Sequence, residues 1–166
     1  SRQACAERLT VLPDGRIPQV EITSCGLNGG PLTGSGEYPA YIACHLFTNE
    51  PSVYVGGDSF PRVMQDGRDG DEEPGYIANI QDSATAGFKY FDCRGVKEIR
   101  IKTRGYGDGV FEVKTSWDGE ALAKIRLKYT DVWEEYGAPV AIPDGVQSIY
   151  LTYRGGGKVS LLSFTL

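Results

Sequence analysis

Residues 96–129, VKEIRIKTRGYGDGVFEVKTSWDGEALAKIRLKY, decide the fold of this chain. Ile99 and Ile101 alternate with Glu98, Arg100 and Lys102; Phe111, Val113 and Thr115 alternate with Glu112, Lys114 and Ser116; Ile125, Leu127 and Tyr129 alternate with Lys124, Arg126 and Lys128. A period of two sends successive side chains to opposite faces, so each run reads as a strand with one face in a core and the other in water. Asp118-Gly119 between the second and third runs is a hairpin signal that makes them antiparallel partners. The outward residues Arg100, Lys102, Glu112, Lys114, Lys124 and Arg126 then form a solvated polar face.

The same chemistry extends in both directions. Downstream, VQSIYLTYR and KVSLLSFTL are separated by Gly155 to Gly157 and read as a further strand pair. Upstream, GYIANIQDSATAGFKYFD carries Phe88, Tyr90 and Phe91 in an aromatic run suited to a pleated surface, and AYIACHLF (40–47) is another strand candidate. With 22 Gly, 10 Tyr and no long run of helical period among 166 residues, the fold class is all-β, most economically a β-sandwich of two antiparallel sheets. RLTV, LPDGR and IPQVEIT predict a short N-terminal hairpin, and the Gly-, Pro- and Ser-rich residues that follow predict a linker. The expected division is therefore a lead-in over residues 1–36 and the sandwich over residues 37–166.

Composition excludes several function classes. A net charge of −5 argues against nucleic-acid and anionic-membrane surfaces, and no apolar run approaches the ~18 residues of a membrane span. The four cysteines lack the C-x-x-C pairing of a zinc site. Cys5 and Cys25 flank the Pro13–Gly15 turn, either facing one another across a regular hairpin or standing as buried free thiols; Cys44 and Cys93 read as core residues. His45 is the single histidine, with no nucleophile turn to accompany it, and no carboxylate pair is singled out, so no catalytic residue is assigned.

Two constellations remain. In QDGRDGDEEP, Asp66, Asp69 and Asp71 with flexible Gly67 and Gly70 form a candidate calcium loop, although their spacing is not that of an EF-hand and a solvated acidic turn is the alternative. No cofactor is required by this reading, and a structural calcium ion is the one candidate. Tyr76, Trp133 and Tyr106 sit beside turn residues, where an aromatic face can stack on the C–H-rich face of a sugar while polar neighbours bond its hydroxyls; Trp117 at a hairpin tip belongs to the same class.

From about Ala40 to Leu166 the chain resembles a family 6 carbohydrate-binding module, a jelly-roll β-sandwich, in GYIANI with FKYFD, in VKEIRIKTRGYGDGVFEVKTSWDG, in VWEEY with IPDGV, and in VSLLSFTL. The preceding residues resemble the segment that follows the catalytic propeller in family 43 glycoside hydrolases. The resemblance implies a secreted, monomeric, non-catalytic module covalently linked to a glycoside hydrolase domain and binding plant polysaccharide such as xylan or arabinoxylan. It also implies that Tyr76 and Trp133 are the two rings flanking one pyranose, with Lys158 or Ser160 where the family carries an Asn. The alternative it leaves open is an accessory sandwich that packs on the catalytic domain without binding sugar.

Overall fold

The computed structural model describes residues 5–49, 60–68 and 71–166. Twelve strands among them form two sheets. The first sheet contains β1 (Leu32–Thr33), β3 (His45–Phe47), β6 (Thr85–Cys93), β8 (Asp108–Lys114), β9 (Ala123–Arg126) and β11 (Gly145–Gly156). Its order is β1-β6-β11-β8-β9, with β3 sharing the β6 edge. The second contains β2 (Glu37–Pro39), β4 (Arg62–Gln65), β5 (Gly75–Ile80), β7 (Glu98–Gly105), β10 (Thr130–Pro139) and β12 (Val159–Thr165). Its order is β10-β7-β12-β5-β4, with β2 beside the far end of β12. All pairings are antiparallel except β1 with β6.

The alternation in residues 96–129 explains the layering. Ile99, Ile101, Phe111, Val113, Ile125 and Leu127 all point into one core between the sheets. Their polar neighbours face out, and there Lys114, Lys124 and Arg154 gather around Glu112 at 3.3 to 3.8 Å. The sheets are joined through rings: Phe164 of β12 meets Phe88 and Phe91 of β6 at centroid distances of 4.6 and 5.7 Å, and Tyr38 closes the group.

AYIACHLF is not one strand. Ala40–Ile42 form a 3-10 turn closed by the Ala43 N–H donating to the Ala40 carbonyl, and only His45–Phe47 extend. The reason is topological: the chain passes from β2 in one sheet to β3 in the other, and an extended segment cannot make that step. In the N-terminal segment the expected turn forms, with Leu12 and Arg16 bonded across it, but its flanks join neither sheet. Those residues are held instead by local bonds and by the β6 edge. Glu7 accepts from Thr23, Ser24 bonds the Lys89 backbone, and Lys89 and Tyr90 both bond Glu21. All four cysteines are free thiols; Cys5 is exposed, Cys93 is core, and Cys25 accepts from the Tyr90 N–H.

Candidate carbohydrate site

One end of the second sheet gathers the side chains singled out above. β5 supplies Tyr76 and Asn79, β7 supplies Arg104, the β7–β8 turn supplies Tyr106, β10 supplies Asp131 and Trp133, and β12 with the turn before it supplies Ser160 and Lys158. Trp133 lies on a strand rather than in a loop, at the point where the β10 register against β7 slips between Thr130 and Glu134. Such a bulge re-aims a side chain at a sheet edge.

Tyr76 and Trp133 do meet, but edge to face, with centroids 5.3 Å apart and planes at 68°. A pyranose held between two rings needs parallel faces roughly 7–8 Å apart, one van der Waals contact on each side. Arg104 occupies that place. Its Cζ lies 4.9 Å from the Tyr76 centroid and 4.3 Å from that of Trp133, a double cation–π contact. Asp66 locks the group, accepting from Arg104 Nη2 at 2.8 and 2.9 Å and from the Tyr76 hydroxyl at 2.9 Å. Tyr76 is only 7% exposed.

The Arg104 hydrogen bonds hold the Asp66 carboxyl below the ordinary carboxylate range, with the Tyr76 hydroxyl acting in the same direction against partial desolvation. A depressed folded value means that the contribution is present at neutral pH and is lost as the pH falls through that value. Because the Asp66 side chain is 46% exposed, solvent screens the pair and its share of stability is small. NMR titration is expected to place the Asp66 carboxyl below the reference ~3.9 and to return it there in Arg104→Ala; an unchanged midpoint in that variant would show that the pair does not govern the charge.

The same contacts bear on calcium. Asp66 gives both oxygens to a guanidinium, and Asp71 Oδ2 accepts from the Arg68 N–H at 2.7 Å, so both carboxylates are engaged by groups of the protein itself. Asp69 lies outside the described residues. Among the described residues no three His, Cys, Asp or Glu side chains gather as a metal site.

Beside the closed aromatic corner lies an open cleft of about 260 Å³, lined by Asn79, Arg104, Tyr106, Asp131, Lys158 and Ser160. Three of the expected residues, Tyr106, Lys158 and Ser160, therefore share one cleft, and Tyr76 stands behind it through Arg104. Tyr106 pairs with Tyr129 at 5.0 Å between centroids, and both rings are 64% exposed, an apolar platform at the cleft mouth. Tyr129 departs from its alternation because β9 ends at Arg126; Ile125 and Leu127 go inward and Tyr129 does not. Asn79 adopts φ +60 within β5, beside a register shift against β12, and its side-chain Nδ2 is buried without a hydrogen-bond partner. Asn tolerates that backbone region better than most residues. Asn79, Arg104, Asp131 and Tyr129 do not stand out as site residues in the sequence; for Arg104 the clustering of Arg, Gly and Tyr in RGYGDG was the available signal. Trp117 lies elsewhere, edge-on between Phe47 and Tyr150 at 5.1 and 5.9 Å on the first sheet.

No protein-family model matches the chain. Its sequence is 60% identical to a xylosidase/arabinosidase of Thermoclostridium stercorarium over 172 aligned residues, covering all of this chain and 36% of that protein. The chain thus spans about a third of the length of that relative. Among solved structures, a module of the family 6 type from Clostridium stercorarium in complex with cellobiose superposes with a TM-score of 0.67 at 15% identity, covering 82% of this chain and 96% of its own. A family 43 arabinoxylan arabinofuranohydrolase from Bacillus subtilis in complex with cellotetraose gives a TM-score of 0.63 at 16% identity, covering 95% of this chain and 32% of that one. By fold, the chain is the β-sandwich of the family 6 carbohydrate-binding modules, a fold that also recurs within a longer family 43 glycoside hydrolase.

Proposed function

We propose that this chain is a non-catalytic carbohydrate-binding module of a secreted glycoside hydrolase, and that it binds xylan or arabinoxylan chains near the attached active site. One observation carries the reading: an exposed Tyr106/Tyr129 platform stands on a cleft whose walls offer amide, hydroxyl, ammonium and carboxylate groups. Stacking on the ring and bonding from the walls are the two halves of sugar recognition. At about 260 Å³ the cleft is smaller than the ~300–1,000 Å³ of a drug-sized site, so it suits about one sugar unit. Such an open contact supports micromolar to millimolar affinity. Attachment to an enzyme makes that weak affinity effective by raising the local substrate concentration.

Calorimetric titration with xylo-oligosaccharides tests this reading. Wild type is expected to bind, Tyr106→Ala to lose about tenfold in affinity, equivalent to ~1.4 kcal/mol, and Trp117→Ala to match wild type. No heat from wild type would sink the reading. A loss in Trp117→Ala with none in Tyr106→Ala would move binding to the face of the first sheet.

A further inference from the structure

Among the described residues, a further group of exposed apolar side chains lies outside the cleft. Leu9, Val11, Ile17, Val20, Ile22 and Leu27 are all between 38% and 66% exposed, within one short segment ahead of β1. A single exposed Leu or Ile is ordinary, whereas several together mark a contact surface. The segment is not a loose tether: Glu7 bonds Thr23, Arg8 bonds the Leu27 carbonyl, and Glu21 binds Lys89 of β6. Between it and the 3-10 turn at Ala40–Ile42 runs a groove of about 680 Å³, floored by Ile42, Ala43 and Cys44 and edged by Val20, Ile22 and the 43%-exposed Tyr41.

Two comparisons indicate what covers this surface. The single family 6 module accounts for 82% of the chain, whereas the longer family 43 enzyme accounts for 95%, a margin of about the length of this segment. The 60%-identical relative has almost two thirds of its length beyond the matched region. We infer that residues 9–27 and the adjoining groove are the docking face for the glycoside hydrolase domain of the same polypeptide, so that the module is held rigidly against the enzyme. This inference rests on the proposed membership in a longer hydrolase, but not on where, or whether, the module binds sugar.

Hydrogen exchange tests it, measured on the 166-residue chain alone and on a chimera in which the chain replaces the matching segment of the 60%-identical xylosidase/arabinosidase. Amides of residues 9–27 are expected to exchange at least ~10-fold more slowly in the chimera. The double variant Ile17→Asp/Ile22→Asp should return them to the rates of the isolated chain, with xylo-oligosaccharide binding unchanged. Equal exchange in the two forms overturns the inference, as does protection in the isolated chain that rises with its concentration, which would make a second copy the occupant. If the chimera does not fold, the intact xylosidase/arabinosidase compared with its own excised segment gives the same decision. A failed sugar titration with protection intact refutes the proposed function and leaves the docking face standing.

Discussion

Phe164→Ala is expected to cost about 3–5 kcal/mol, the range for deleting a buried Phe from a core. The ring is 1% exposed and touches Phe88, Phe91 and Tyr38, so its removal opens a cavity at the place where the two sheets are joined. Neighbouring rings cannot collapse into the gap without separating β6 from β12. Urea unfolding monitored by tryptophan fluorescence should show the midpoint falling with the slope unchanged, and the melting temperature dropping by roughly 10 °C. Phe47→Ala supplies the contrast: this ring is 43% exposed, and its loss should cost under about 1 kcal/mol. Similar losses in the two variants would show that the bridge between the sheets is not where the stability resides.

Gly157→Ala is expected to remove sugar binding and to destabilise the chain together. Gly157 has φ +74, where a side chain costs about 1–3 kcal/mol, and a Cβ built there would collide with the backbone carbonyl of Tyr106. No rotamer change relieves a clash of backbone with Cβ. The β11–β12 turn must move off the β7–β8 turn, which separates Lys158 from Tyr106 and opens the cleft between them. Affinity for xylo-oligosaccharides should fall at least tenfold, beyond ~1.4 kcal/mol. Gly156→Ala is the control, since its Cβ would meet nothing within 4 Å, and it should bind as wild type does. Full affinity in Gly157→Ala would show that the cleft is not the sugar site.

The fold was legible where burial alternates strictly. β7, β8 and β9 each carry apolar residues on one face and charges on the other, and that pattern follows from the pleat alone. β10 was not legible as a strand, because it is an edge strand with a bulge and none of its residues is fully buried; Trp133 therefore reads as a ring beside turn residues. The site divides in the same way. Tyr106, Lys158 and Ser160 fall together because two turns and the start of β12 converge at one end of the sandwich; the turn residues around Tyr106 mark the first, and the family resemblance implies Lys158 or Ser160. The closing of Tyr76 against Trp133 by Arg104 depends on a side chain from a third strand reaching across, held by a carboxylate from the loop after β4. No spacing along the chain encodes that meeting. The unpartnered amide of Asn79 likewise arises from a local register shift, which GYIANI does not announce.

The position of β12 also sets an order of assembly. It is the last of the twelve described strands, yet it runs through the middle of its sheet, between β7 on one side and β5 and β2 on the other; Ser163 bonds Glu37 across 126 residues of sequence. During synthesis β2, β4, β5, β7 and β10 emerge without the neighbour that joins them, and the loop-closure entropy of so distant a pairing makes this step slow. Ser160, with Lys158 just ahead of it, arrives with that strand. The cleft proposed to hold sugar is therefore completed only when the sandwich itself closes, so its walls and the fold are finished in one step.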